Sequence, residues 1–151
     1  MNSLELKIPP VVVAALTIGS MWIVAKNTPG SDMAFGDQLS GLLLATGVAV
    51  MLWSTVSFSR AKTTVDPTKP HAASSLLTSG LFGISRNPIY VGMFLFILGC
   101  GFRMGNVFSL ALAAGFVFYM NRFQIEPEED ALEKLFPEEY SEYRKRVRRW
   151  L

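Results

Sequence analysis

Residues 8–25 and 38–58 contain no Asp, Glu, Lys or Arg at all. Two uncharged runs of this length constrain the fold more than any other feature. A helix of about 20 apolar residues spans the roughly 30 Å hydrocarbon core of a bilayer, and ionisable groups are expelled from that core. The charge is distributed accordingly: most of it lies in the 60–86 connection and after Arg122. Half of the 151 residues are hydrophobic and 17% are charged, against about 25% in soluble domains. A formal net charge of +2 does not point to nucleic acid. The length suits one domain.

The expected architecture is an all-α integral membrane protein with about four transmembrane helices, two long and then a short hairpin, followed by C-terminal amphipathic surface helices. Residues 1–59 hold the first two spans, 60–87 a cytoplasmic loop, 88–123 the hairpin and 124–151 the tail helices. Pro9 and Pro10 fit the first turn of span 1, where a missing N–H costs little. The run from Asn27 to Asp32 is a dense turn signal. The stretch lacks a small-residue cleavage site and more apolar spans follow, so it reads as a first membrane helix rather than a cleaved leader. In the second span, Gly41 and Gly47 are placed to admit a neighbouring helix closely.

The stretch from Arg60 to Gly80 is polar and holds Pro67, Pro70 and a Ser/Thr cluster, which predicts a surface loop. Residues 88–102 and 107–123 are shorter apolar runs divided by Arg103-Met104-Gly105-Asn106, and they predict a thin or tilted hairpin. Arg60, Lys62, Lys69 and Arg86 share one side with Lys7 and the basic C-terminus. The positive-inside rule therefore predicts a multi-pass plasma (inner) membrane protein with both termini cytoplasmic.

Beyond Glu126 the character changes. Pro127 suits a first helical turn, and Pro137 closes one tail helix and opens another. Tyr140, Tyr143, Val147 and Trp150 form one stripe, and Arg144, Lys145, Arg146, Arg148 and Arg149 crowd the remainder. Such a helix lies in the headgroup plane or docks on the ends of the spans.

Two clusters are candidates for chemistry. At the start of the third span, Asn87 is a cap residue and Pro88 a first-turn residue. Caps of this kind are ordinary, but Arg86 and Tyr90 at the same level add a cation and a hydroxyl. Free backbone N–H groups, a positive dipole end and an arginine together suit an anion such as a cofactor carboxylate. The second cluster is Arg122, Gln124, Glu126, Glu128, Glu129 and Asp130. Acids at a helix start are commonly just favoured by the dipole, and that account suffices for Glu126 and Asp130. Glu128 and Glu129 fall where the surface helix folds back beneath the hairpin, so they are the candidates for holding ribose hydroxyls or offsetting a sulfonium.

His71, the one histidine, reads as a surface residue. With no Cys/His/Asp cluster at ligand spacing, no metal site is expected. Cys100 is the one cysteine, which excludes an intramolecular disulfide. The Gly99, Gly101 and Gly105 run follows a helix rather than a strand, so it is not a dinucleotide fingerprint. Packing and a turn are the expected uses of these glycines.

Three segments, in order, resemble the isoprenylcysteine carboxyl methyltransferase and phospholipid methyltransferase superfamily of membrane enzymes. Leu76-Leu77-Thr78-Ser79-Gly80 is similar to its Leu-Val-Thr-x-Gly, and Arg86-Asn87-Pro88-Ile89-Tyr90-Val91-Gly92 to its Arg-His-Pro-x-Tyr-x-Gly. Glu128-Glu129 with Phe136, Tyr140 and Tyr143 is similar to its closing Glu-Glu…Phe-Gly-x-x-Tyr-x-x-Tyr. The resemblance runs from Phe58 to the C-terminus. It implies S-adenosylmethionine as cofactor, with Leu76, Leu77, Phe82, Asn87, Pro88, Tyr90 and Glu128 as cofactor-binding residues, to which the anion site at the helix start adds Arg86. Arg122 and Glu129 are the catalytic candidates, with Arg122 steering the acceptor. Asn87 departs from the usual His, Ser74 stands where a His often does, Phe82 replaces a common Tyr, and Gln124 takes a position often held by a substrate-contacting Arg.

The function expected is methyl transfer from S-adenosylmethionine to a lipophilic carboxylate or thiol at the cytoplasmic face. Little acid–base machinery is needed when the acceptor is already an anion. Alternatives are N-methylation of a phospholipid amine, a related fold with nicotinamide-dependent reductase chemistry, and a non-catalytic membrane scaffold or subunit. The expected partners are a lipophilic substrate and membrane lipids, not nucleic acid.

Overall fold

The computed structural model describes residues 5–31, 33, 36–61 and 74–151. His71, Lys62, Lys69, Asp32, Pro67 and Pro70 lie outside the described residues, so most of the expected 60–80 loop does too. Among the described residues the fold is helical, with a single bridge pair of extended residues.

Helices α1 (Pro10–Asn27), α2 (Gly36–Arg60), α3 (Pro88–Met104) and α4 (Val107–Met120) run alternately up and down. A short 3₁₀ turn, Gly80–Gly83, precedes α3, and a π-helical turn, Asn121–Ile125, leads from α4 directly into α5 (Glu126–Leu135). The last helix is α6, Pro137–Arg146. Proline stands in the first turn of α1, α3, α5 and α6, where its fixed φ is already helical and its missing N–H is no loss. The expected starts therefore hold. The end of the hairpin does not: the apolar run expected to finish at 123 passes through the π turn and continues as α5.

α1 and α2, of 18 and 25 residues, are long and apolar enough to cross a membrane. Their rise of 1.5 Å per residue gives roughly 27 and 38 Å. Little of either is buried within the protein. Val11, Leu16 and Ile23 of α1 and Leu42, Leu52 and Trp53 of α2 are exposed, an extent of apolar surface that soluble monomers rarely carry. α3 is equally apolar over 17 residues.

α2 packs chiefly on α3, and α1 on α4 and α3. The α2–α3 contact is backbone to backbone. A Cβ added at Gly47 would lie 2.7 Å from the Gly92 carbonyl oxygen, and one at Gly92 would lie 2.8 Å from that of Gly47. Gly41, expected to share this role, faces open space. The core between the helices is built from Val13, Met21, Ile97, Ala113, Phe116, Met120 and Ile125.

The two ends of the bundle differ. At one end the α3–α4 turn is closed by Gly105, whose φ of 57° suits glycine. Asn106 there accepts from Ser109 N and donates to Thr28 Oγ1 and the Pro29 carbonyl. An open depression of about 330 Å³, lined by Met33, Gly36, Asp37, Gln38 and residues 102–105, lies at this end. The opposite end gathers the N-terminal residues, the 3₁₀ turn, the start of α3, the π turn and the whole tail.

Candidate active site

The segment Ser85-Arg86-Asn87 enters α3, and the carbonyl of Asn87 accepts the amides of Tyr90 and Val91. Asn87 was expected to cap the helix with its side chain, and it does not. Its Nδ2 instead donates to the Arg149 carbonyl at 3.0 Å. The Ser85 hydroxyl donates to the same carbonyl at 3.3 Å and accepts the Asn87 amide. Arg86 N donates to the Arg148 carbonyl at 2.9 Å. The physical reason is the tail: α6 ends at Arg146 and Val147 turns extended, which leaves a row of carbonyls in need of donors.

This break also divides the expected aromatic stripe. Tyr140, Tyr143 and Val147 are buried against Leu76, Leu132 and Phe136, so α6 is docked on its own chain. Trp150 lies apart, its indole N–H donating to Asn121 Oδ1 at 2.9 Å and its ring against Phe94. Phe82 is buried edge-on to Phe58, and its carbonyl accepts from the Tyr143 hydroxyl at 2.6 Å. Leu77 is half-buried and outside this cluster.

The neighbouring carboxylates of α5 have opposite surroundings. Glu129 is clamped by two guanidinium groups. Arg86 Nη2 donates to Oε1 at 2.7 Å, and Arg149 donates through Nε to Oε1 at 3.1 Å and through Nη2 to Oε2 at 2.7 Å. Burial pushes this carboxyl upward, but the hydrogen bonds and charges of Arg149 and Arg86 outweigh it and hold it below its ordinary value. Arg86 also donates through Nη1 to the carbonyls of Val147 and Arg144, at 2.7 and 3.4 Å, so it caps the end of α6. Its Nε is buried and has no hydrogen-bond partner among the described residues.

Among the described residues Glu128 meets only neutral donors. The hydroxyl of Tyr90, itself buried, donates to Oε1 at 2.6 Å, and Gln124 Nε2 donates to the same oxygen at 2.5 Å. Burial is the main force on this carboxyl and the Glu129 charge adds to it, while the two hydrogen bonds oppose; the net effect raises it to about 7. Oε2 accepts no hydrogen bond among the described residues.

The sequence-predicted residues thus divide. Arg86, Asn87, Pro88, Tyr90, Glu128 and Glu129 meet at one end of the bundle, with Phe82 and Leu76 beneath the tail. Arg122 is engaged elsewhere, donating to Glu5 at 3.1 Å and lying 3.6 Å from Glu126. Three participants escaped sequence reasoning: Arg149, Ser85 and the pairing of Gln124 with Glu128. For the last, the four-residue helical spacing was a usable signal.

A model of the phospholipid methyltransferase family matches residues 37–139. An uncharacterized protein from Haemophilus influenzae is 36% identical over 63 residues, which are 42% of this chain and all of that protein. Protein-S-isoprenylcysteine O-methyltransferase of Schizosaccharomyces pombe is 35% identical over 72 residues, and the human protein of that name 38% over 73. Each of these alignments covers 48% of this chain, but only 30% and 26% of the respective enzyme. No solved structure matches. The family match spans α2, α3, α4, α5 and the opening of α6, and so includes both halves of the Tyr90–Glu128 contact: this chain belongs to the phospholipid methyltransferase family.

Proposed function

We propose that this protein transfers a methyl group from S-adenosylmethionine to a lipophilic carboxylate or thiol at the cytoplasmic face of the membrane. The observation that carries this reading is the contrast between the two adjacent carboxylates. Glu129 is already neutralised, whereas Glu128 is half-buried, oriented and, among the described residues, without a cation. A carboxylate in that state suits ribose hydroxyls, which are donors, and tolerates a nearby sulfonium. The buried, partnerless Nε of Arg86 is the complementary feature, a cationic donor suited to the cofactor's carboxylate. The side chains fit the cofactor on both counts.

When bound, S-adenosylmethionine supplies an electrophilic methyl group. Glu128 accepts the ribose hydroxyls, Tyr90 holds Glu128 in place, and Arg86, Asn87 and Pro88 form the wall at the mouth of α3. Leu76, Leu77 and Phe82 supply apolar surface. Glu129, with both oxygens taken, acts as a positioning residue rather than a catalytic one: it fixes Arg86 and Arg149, and through them the tail. Arg122 steers an anionic acceptor, in exchange for its contacts with Glu5 and Glu126. For such a transfer, holding donor and acceptor in line is the larger part of catalysis.

In this reading α3 and α4 join α1 and α2 as four membrane spans, the shorter pair tilted or locally thinning the bilayer. The site end carries Lys7, Arg60, Arg86, Arg122 and the basic tail, and the other end Lys26 and Arg103. By the positive-inside rule this asymmetry supports the reading of the site and both termini as cytoplasmic. The acceptor enters laterally from the lipid. Because the family model is that of phospholipid methyltransferases, a phospholipid amine is the second acceptor class.

The test is transfer of tritiated methyl from S-adenosylmethionine by the protein in liposomes. A farnesylated cysteine derivative, a lipophilic thiol and phosphatidylethanolamine are offered separately. Label in the first or second supports the proposal, label in the third moves it to amine chemistry, and label in none overturns it.

A further inference from the structure

The neutrality of the groups holding Glu128 has a consequence for the residue beside it in the π turn. Gln124 is 2% exposed and precedes Glu128 by one helical turn, at the spacing where side chains meet. Tyr90 reaches the same oxygen from α3. Two donors on Oε1 fix the plane of the carboxylate, and among the described residues Oε2 accepts no hydrogen bond. The π turn contributes to this register. An extra residue rotates everything after it by roughly 100° about the helix axis, so α5 does not simply continue the face of α4.

We propose that Gln124 is a positioning residue for Glu128: it pins Oε1 without supplying charge, so that Oε2 is presented, with its negative charge uncompensated, to a hydroxyl-bearing cationic ligand. This rests on the reading of the site as one for a nucleoside sulfonium. An arginine at position 124 would orient the same oxygen but also pair with it, as Arg86 and Arg149 pair with Glu129. The glutamine orients while leaving the charge for the ligand.

The charged and titratable groups around Glu128 are few. Tyr90 faces it from α3 and Glu129 adjoins it on α5, and Glu129 is itself neutralised by Arg86 from the α3 entry and Arg149 from the tail. A hydrogen bond to an ionised carboxylate favours the ionised form. Removing the Gln124 amide therefore makes Glu128 harder to ionise, a change that altered packing alone does not produce.

The experiment uses the full chain in detergent and Gln124→Met, which keeps the length of the side chain but has no donor. S-adenosylmethionine binding is measured by calorimetry at pH 6, 7 and 8. At pH 7 the variant is expected to bind about tenfold more weakly, the usual size for a hydrogen bond to a charged group, and its affinity should recover toward pH 8. In a Glu128→Gln background the same substitution should change affinity by no more than about twofold. Equal weakening in both backgrounds, or wild-type affinity in both, overturns the proposal. Carboxyl infrared titration of the ligand-free protein separates the two ideas. A Glu128 midpoint that rises in Gln124→Met supports the positioning role even where the wild type binds no S-adenosylmethionine, a result that would defeat only the cofactor reading. An unmoved midpoint defeats the positioning role itself.

Discussion

Tyr90, two residues into α3, donates its hydroxyl across 2.6 Å to Glu128 in the first turn of α5. That contact joins segments 38 residues apart and brings the α3 mouth against the acidic bend after α4. Tyr90→Phe removes the donor while keeping the ring. Affinity for S-adenosylhomocysteine should fall by about tenfold with little change in thermal stability, as read by calorimetry and a melting curve. Unchanged affinity would show that Glu128 does not need this partner.

The Glu129 clamp has a different signature. Its side chain and that of Arg86 are 8% and 9% exposed, so removing the carboxylate strands a buried guanidinium. Glu129→Ala should cost about 3–5 kcal/mol and loosen the tail, measured by chemical unfolding in detergent and by protease cleavage after residue 146. Arg149→Met removes a partner that is 30% exposed, and should cost only about 1 kcal/mol. Equal losses from the two would contradict the asymmetry of burial.

The helices were legible in the sequence where composition and local chemistry agree. The uncharged runs announce α1 and α2, and Pro10, Pro88, Pro127 and Pro137 each mark a helix start that the structure keeps. The resemblance put Tyr90 and Glu128 at one cofactor site, but their direct hydrogen bond was not legible in the sequence. What stayed hidden depended on the tail. Nothing near Asn87 shows that carbonyls 62 residues later will compete for its amide, and nothing near Glu129 announces Arg149. The π turn has no compositional mark either: Asn121–Ile125 reads as the end of a span, and only the packing of Tyr90 and Trp150 against it reveals that the helix runs on.

The α2–α3 contact offers a test of packing. Gly47→Ala places a methyl 2.7 Å from the Gly92 carbonyl and 2.9 Å from the Phe96 amide. Both are backbone atoms, which cannot swing aside, so the helices must separate at a cost of about 1–3 kcal/mol. Gly41→Ala, in open space on the same helix, should instead be neutral or stabilising by up to about 1 kcal/mol, from helix propensity. Melting temperatures of the two variants in one detergent decide the matter; a Gly47→Ala protein as stable as Gly41→Ala would rule out the close approach.

The pH dependence of stability isolates Glu128. Its carboxyl is raised from 4.5 to about 7 in the fold, chiefly by burial, so the native state holds a proton that the unfolded chain has released. Its contribution is fully present below about pH 4.5, is lost progressively as pH rises toward about 7, and is flat above that. Glu129 behaves oppositely: its lowered value places its contribution above the ordinary carboxylate range, to be lost only as pH falls further. The two windows do not overlap. Between pH 5 and 7 the wild type should therefore lose stability relative to Glu128→Gln, which has no proton to release, and the difference of the two curves isolates this carboxyl. Parallel curves across that interval would mean that Glu128 is solvated like any surface acid and is not the buried, neutral-donor carboxylate on which ligand binding here depends.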